Sequence, residues 1–296
     1  MTDATPIEAV IARIRAVYGK WDRTTPPDVM RRDWDDLFRA RAASMPLHRV
    51  DAGGVPAEWI SVHARAPDRA ILYLHGGGFR LGSIASHRDL LQRLSRAADA
   101  RILAIDYRLC PEHRFPAPLE DALATYRWML EEGISAARIA FAGDSAGAGL
   151  AIATMLAAKA QGLALAGAAL LMSAWTDMEA TGRSYETLAA QDPIHQRPMI
   201  LALARGYLGK HNPRDPLASP IHGDLRGLPP MLLQCGGRET LVDDSVVFAE
   251  KARVAGVHVE TQIFDGMIHV FQMFAAELPE AARAIATAGD FLRRHI

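Results

Sequence analysis

Apolar residues along the chain fall into short runs separated by longer amphipathic stretches. The runs at 57–62, 70–74, 101–106, 138–142, 167–172, 231–235 and 258–264 have strand length and little internal polarity, as strands covered on both faces do. Between most of them, apolar residues recur at helical spacing. Pro118 to Glu132 is one such stretch, closed by Gly133, and Ser86 followed by Asp89 resembles a capping box opening a helix through Ala98. After Ser145 the chain is almost entirely apolar or small to about Gln161. That predicts a helix with no solvent face, packed on the centre of the sheet. Strands alternating with helices predict an α/β fold with a mostly parallel sheet covered on both faces.

Two segments do not follow the alternation. Residues 1–45 read as two polar-rich helices, 7–18 and 27–43, separated by the turn-rich Thr24-Thr25-Pro26-Pro27. Residues 177–222 interrupt the strand order with a helix near 198–209 and the loop Asn212-Pro213-Arg214-Asp215-Pro216. The pattern alone places extra helix and loop where the sheet pauses. There is no internal repeat and no low-complexity segment.

Composition narrows the picture. A chain of 296 residues, 50% hydrophobic and 23% charged, buries a full core, and α/β folds of this size often remain one unit. A formal net charge of −1 supplies no long-range field for nucleic acid or acidic lipid. The first residues, Met1 to Pro6, lack a basic stretch followed by an apolar core, so no signal peptide is expected. No segment approaches ~20 uninterrupted apolar residues, so no membrane span is expected either. Cys110 and Cys235 are the only cysteines. Two make neither a disulfide framework nor a zinc site, and a buried, reduced pair in the cytoplasm is the expectation.

The candidate chemistry starts at Phe141-Ala142-Gly143-Asp144-Ser145-Ala146-Gly147, a G-x-S-x-G where an apolar run turns into a small-residue helix. A serine on a sharp strand-to-helix turn has strained backbone angles and crowded neighbours, which explains the flanking glycines. Upstream, the run Ile71-Leu72-Tyr73-Leu74 leads directly into His75-Gly76-Gly77-Gly78-Phe79. A glycine run leaves backbone N–H groups uncovered, as stabilising the oxyanion of a tetrahedral intermediate requires. The two motifs together are far more specific than either alone.

With these motifs the chain resembles the hormone-sensitive-lipase-type esterases of the α/β-hydrolase superfamily. The resemblance covers most of residues 57–296. It rests on HGGGF at 75–79, the segment Asp106-Tyr107-Arg108-Leu109-Cys110-Pro111-Glu112-His113-Arg114-Phe115-Pro116-Ala117, the GDSAG box, Trp175-Thr176-Asp177 and Gly266-Met267-Ile268-His269. Cys110 stands where the family usually has alanine and Ala148 where a further glycine often follows; both are small. The resemblance implies an α/β-hydrolase fold with a core of 46–176 and 223–296. Residues 1–45 and the inserted segment 177–222 would form a helical cap, within one structural unit.

In a hydrolase of this design the order is serine, acid, histidine. Of the eleven histidines, His269 is the one in the loop beyond the last expected strand, Val257 to Phe264. It is the expected general base for Ser145. The acid belongs in the loop after Met231-Leu232-Leu233-Gln234-Cys235, which offers Glu239, Asp243 and Asp244. Many family members carry D-P-L-x-D-E here, and alignment on the leucine places Glu239 at the aspartate's position. Asp243 has another reading, because Thr240-x-x-Asp243 forms a capping box before a helix at 245–255. Ala146 follows the nucleophile and supplies one oxyanion N–H; the resemblance assigns the others to Gly77 and Gly78, with Gly76 shaping the turn. Asp144 and His75 are expected to orient the glycine loop. Asp106-Tyr107-Arg108 and Glu112-His113 are expected as scaffold behind it, with Arg108 buried against an acid.

The implied activity is that of a serine carboxylesterase acting on short-chain acyl esters through an acyl-enzyme, with no metal or organic cofactor. Trp175, Met199, Leu203 and Tyr207 are candidates to line the acyl pocket, with a core role equally open for each. Amidases, lactonases and deacetylases present the same motifs. A non-catalytic receptor for a small molecule, like the gibberellin receptor of plants, is the alternative on this scaffold, although such a protein can lose the histidine. The expected partner is a small ester, and the resemblance also admits pairing of two copies through an edge strand.

Overall fold

The structure, a computed structural model, describes residues 5–39, 46–63 and 68–296. Two helices lead, α1 (Pro6–Tyr18) and α2 (Pro27–Arg39), followed by strands β1 (His48–Asp51), β2 (Pro56–Ile60) and β3 (Ala70–Leu74). The alternating part runs α3 (Ile84–Ala98), β4 (Arg101–Ile105), α4 (Ala117–Glu131), β5 (Ile139–Asp144), α5 (Ala146–Ala160) and β6 (Ala168–Met172). A helical stretch with α6 (Ser184–Thr187) and α7 (Arg197–Leu208) intervenes before β7 (Met231–Gly236), α8 (Val242–Val254), β8 (Val259–Phe264) and α9 (Pro279–His295).

The strands form one eight-stranded sheet in the order β1-β2-β4-β3-β5-β6-β7-β8. β1 and β2 pair antiparallel, as do β2 and β4, and every later neighbour is parallel. The α/β expectation therefore holds, with one strand more than the apolar runs announced. β1 was invisible to that reading because its sequence, His-Arg-Val-Asp, is mostly exposed at the edge of the sheet. A half-solvated edge strand carries no apolar run.

Side chains alternate between two cores, one on each face of the sheet. Leu72, Leu74, Phe141, Leu171 and Leu233 join the core beneath α4, α5 and α8. Their neighbours Ile71, Tyr73, Ala142, Leu170 and Leu232 join the core beneath α3 and α9. Burying one such leucine or phenylalanine contributes about 1.5–3 kcal/mol, so the alternation alone specifies strand register strongly. α5 packs at the centre, as its composition predicts, and every residue from 146 to 158 is buried. Small residues permit that approach: a Cβ added at Gly149 would lie 2.2 Å from the Trp175 carbonyl oxygen.

Two expected helix starts are corrected. α3 begins at Ile84 and its cap is Ser83, not Ser86; the Ser83 hydroxyl accepts from the Ser86 amide (3.1 Å) while the Ser86 hydroxyl accepts from the Ser83 amide (3.0 Å). Asp89 pairs instead with Arg93 one turn on. α8 begins at Val242 without the Thr240–Asp243 box. Long-range partners outbid the local ones there, because Asp192 takes the Thr240 hydroxyl (3.2 Å) and the Ser184 amide donates to Asp243 (2.9 Å).

α1 buries Val10, Ile11, Ile14 and Val17 at helical spacing, and α2 follows it; the expected extension of α2 to 43 lies, from 40 on, outside the described residues. Arg31 of α2 donates to the carbonyls of Arg80 (3.0 Å) and Cys110 (2.8 Å) and pairs with Glu112 (2.7 Å). These bonds tie the N-terminal helices to the loops that follow β3 and β4. No helix among the described residues is long and apolar enough to cross a membrane.

Candidate active site

Ser145 sits between β5 and α5 with φ +52° and ψ −121°. A non-glycine residue at positive φ costs on the order of 1–3 kcal/mol, so the surroundings must hold it. They do: the Ser145 amide donates to the Met172 carbonyl (2.8 Å), and its own carbonyl accepts from Trp175 (3.1 Å). The two glycines of the motif are sterically required. A Cβ at Gly147 would stand 2.0 Å from the Leu74 carbonyl oxygen, and one at Gly143 would stand 2.6 Å from that of Gly147. The hydroxyl is thereby presented at the carboxyl end of the central strand.

His269 arrives from the loop after β8. Its Nε2 is 2.9 Å from Ser145 Oγ, and its Nδ1 is hydrogen-bonded to Glu239 Oε2. Glu239 comes from the loop after β7, is 0% exposed, and accepts the Gly236 amide on Oε1 at 3.0 Å. Asp243, the other acid considered, points elsewhere, accepting the Ser184 amide. Burial by itself pulls the His269 pKa down. The charge and hydrogen bond of Glu239 outweigh it, with Asp192 and Asp144 adding, and the net position is above the ordinary histidine value. Of the sequence candidates, Ser145, His269 and Glu239 are brought into one hydrogen-bonded chain.

The glycine loop faces the same serine. Gly77 and Gly78 have φ of +107° and +62°, open only to glycine at low cost, and line a cavity of about 450 Å3 together with Ser145 and His269. Among the described residues, no acceptor takes the amides of Gly77, Gly78 or Ala146. Ala146 is also the first residue of α5, where uncapped N–H groups and the helix dipole favour negative charge. Free amides that line a cavity with a serine hydroxyl, or follow it in the chain, are donors of the kind an oxyanion needs.

Below the loop lies a buried polar cluster. Asp144 Oδ1 accepts from the Gly76 amide (3.0 Å) and the Tyr73 hydroxyl (2.7 Å), and His87 Nε2 lies 3.2 Å from it. Burial would raise the Asp144 pKa, but the charge of His87 and these hydrogen bonds hold it below the usual carboxylate value. His75 donates from Nδ1 to the Gly76 carbonyl (2.8 Å) and stacks on Tyr107 at 4.3 Å, whose hydroxyl donates to the His75 carbonyl (2.6 Å). Burial, then the facing His87, pushes His75 down to about 3, so it is neutral. His87 and Tyr73 were not anticipated from the sequence. One is a lone histidine in a helix and the other an ordinary strand aromatic.

The expected scaffold behind the loop is only partly there. Arg108 pairs with Asp121 (2.7 Å) and Glu120 (3.1 Å) but its side chain stays 42% exposed. It braces α4 from outside, reaching the exposed Glu120 with its guanidinium while the buried Asp121 carboxylate accepts from its Nε (2.9 Å). Trp175, Met199 and Leu203 line the cavity, whereas Tyr207 does not. α7 contributes residues 199, 200, 202, 203 and 206 to the cavity, and its residues 204, 207 and 208 are buried away from it. Tyr207 stacks against Phe79 at 3.7 Å and so supports the glycine loop from behind. The opposite cavity wall comes from α1 and α2, through Tyr18, Trp34 and Phe38.

Comparison with known proteins identifies the fold and the family. Residues 71–273 match the family described as alpha/beta hydrolase fold. The acetyl-hydrolase of Streptomyces hygroscopicus is 45% identical over 244 residues, 82% of this chain and 81% of that one. A solved esterase from the bacterial hormone-sensitive lipase family is 43% identical with a TM-score of 0.95, covering all of both chains. The structure of EstE5 soaked with p-nitrophenyl butyrate is 38% identical over 98% of each chain, with a TM-score of 0.91. The chain belongs to the alpha/beta hydrolase fold family and, within it, to the bacterial hormone-sensitive-lipase esterases.

Proposed function

We propose that this esterase hydrolyses short-chain acyl esters through an acyl-enzyme, with Ser145 as nucleophile, His269 as general base and Glu239 as the acid that orients it. The observation that carries the reading is the continuous hydrogen-bonded chain from Glu239 Oε2 through the His269 ring to Ser145 Oγ. His269 Nε2 takes the Ser145 proton as Oγ attacks the ester carbonyl, and the amides of Gly77, Gly78 and Ala146 hold the oxyanion. The imidazolium, stabilised by Glu239, returns that proton to the leaving alkoxide. Water then attacks the acyl-serine, deprotonated by the same ring, and the carboxylic acid leaves.

The short acyl preference is supported by the relatives' names, an acetyl-hydrolase and an esterase soaked with a butyrate ester. The helices α1 and α2, with residues 177–222, act as the cap in this reading. Their support is that Tyr18, Trp34, Met199 and Leu203 wall the cavity over Ser145.

A fluorophosphonate probe tests the reading directly. The wild-type chain should be labelled at Ser145, and Ser145→Ala should lose both labelling and ester turnover while keeping its circular dichroism. Removing a triad member leaves only the residual ~10³–10⁴-fold advantage over water that amides and binding supply. Turnover of Ser145→Ala near the wild-type rate would remove the assignment.

A further inference from the structure

Residues 188–196 join α6 to α7 and carry two polar groups that the reaction above leaves unused. Asp192 is 5% exposed, yet its carboxylate is fully engaged. Oδ1 accepts from the amides of Ile194 (2.9 Å) and His195 (2.8 Å), which turns the chain back on itself. Oδ2 accepts from the Thr240 amide (2.8 Å) and hydroxyl (3.2 Å). Thr240 directly follows Glu239, and its carbonyl is held in turn by the Ser184 hydroxyl (2.6 Å). The backbone beside the acid is thus fixed from the segment between α6 and α7.

His195 stands against the histidine. Its ring centroid is 4.4 Å from that of His269, with 59° between the planes. Nδ1 is buried with no hydrogen-bond partner among the described residues, 4.0 Å from Asp192 Oδ1. The ring also lines the cavity that holds Ser145. An orphaned buried nitrogen is costly, so its retention at this place calls for a use.

Resting on the acyl-enzyme reading, we propose that Asp192 and His195 are a positioning pair for His269. The carboxylate anchors the Glu239 loop to the α6–α7 connection, and the His195 ring is the wall against which the His269 ring is held. The one hydrogen bond that Nδ1 donates to Glu239 leaves the His269 ring free to pivot about it. A packed face removes the pivot and keeps Nε2 aimed between Ser145 Oγ and the leaving group. Burial and the facing His269 push His195 down to about 3, so the wall carries no charge that would oppose the imidazolium. The charged and titratable groups facing His269 are Glu239 from the β7–α8 loop, Asp144 from β5, and Asp192 and His195 from this segment; Tyr18 of α1 faces Asp192. Asp192 favours the imidazolium, so its removal should lower the His269 pKa and move the acid limb of the rate profile to lower pH.

The test is steady-state hydrolysis of p-nitrophenyl acetate across the pH range by wild type, Ser145→Ala, Asp192→Asn, His195→Ala and His195→Phe. Hydrolysis by wild type and none by Ser145→Ala keeps the underlying reading; an inactive wild type overturns that reading itself. Asp192→Asn should move the acid limb of kcat/KM to lower pH, and an unmoved limb in a folded variant overturns the role of Asp192. His195→Ala should lower kcat about tenfold with KM nearly unchanged, a smaller loss than the ~10²-fold that follows a 1 Å misplacement. His195→Phe, which restores a neutral ring, should recover most of that loss. Wild-type kcat in His195→Ala, or a change in KM alone, overturns the positioning role. Should Asp192→Asn fail to fold by circular dichroism, the two His195 variants decide the proposal.

Discussion

At the residue scale, the chemistry depends on which carboxylate reaches His269. Glu239 lies in the loop after β7 and Asp243 in the first turn of α8, only four residues on, and residue type alone leaves both open. The longer side chain of Glu239 turns inward to Nδ1, while Asp243 is spent on the Ser184 amide. Glu239→Gln keeps the volume but loses the charge that stabilises the imidazolium, so kcat should fall on the order of 10³–10⁴ with the fold intact. Asp243→Asn retains an oxygen for Ser184 and should leave turnover close to wild type. Steady-state rates of the two variants check the assignment, and a loss confined to Asp243→Asn would reverse it. Ser145 and His269 were readable because their neighbours advertise them: glycines around the first, the final strand before the second. His87, Asp192 and His195 were not, since nothing within a few residues of them differs from an ordinary loop or helix.

At the element scale, α5 packs closely on the sheet and on the loop after β6. Gly149 lies inside the helix, where alanine would gain up to about 1 kcal/mol of helix propensity. A Cβ there would meet the Trp175 carbonyl oxygen at 2.2 Å, backbone that cannot swing aside. Overpacking of this kind costs about 1–3 kcal/mol, so the clash wins over the propensity. Gly149→Ala should therefore melt a few degrees lower in calorimetry; an unchanged or higher melting temperature would show that α5 can lift off the loop. The apolar runs announced seven of the eight strands, and small-residue composition announced the place of α5. Helix starts were less legible. Ser83 caps α3 ahead of the expected Ser86, and Thr240 bonds to Asp192 instead of capping α8.

At the scale of the whole molecule, pH acts on two groups in different ways. The His269 pKa is raised, so activity should fall on acidification from a limb lying above the ~6.5 of a free histidine. Asp244 bears on stability. Burial pushes its pKa up to about 8, against the Thr176 and Asp177 amides that hold Oδ2 at 3.0 Å, with the Asp177 charge adding to the rise. Between pH ~4 and ~8 the unfolded chain has lost this proton and the folded chain keeps it, so stability declines as pH rises through that window. Asp244→Asn preserves an oxygen for both amides and removes the titration. Urea unfolding at the two ends of the window should show a smaller difference for the variant than for wild type; equal differences would mean that Asp244 is ionised in the fold.

The amino-acid sequence by itself determined the class of fold, and it placed a serine at the turn from β5 to α5 and a glycine loop lining one cavity with it. Each of these is written in a few consecutive residues, as a period of apolar positions or as glycines where a Cβ has no room. Only the tertiary structure decided which acid meets His269, that Tyr207 backs the glycine loop instead of lining the cavity, and that residues 188–196 press against the imidazole. Those contacts join segments far apart in the chain. Strand order and register bring them together, and no local pattern encodes the distance between two side chains that meet only after the sheet has formed.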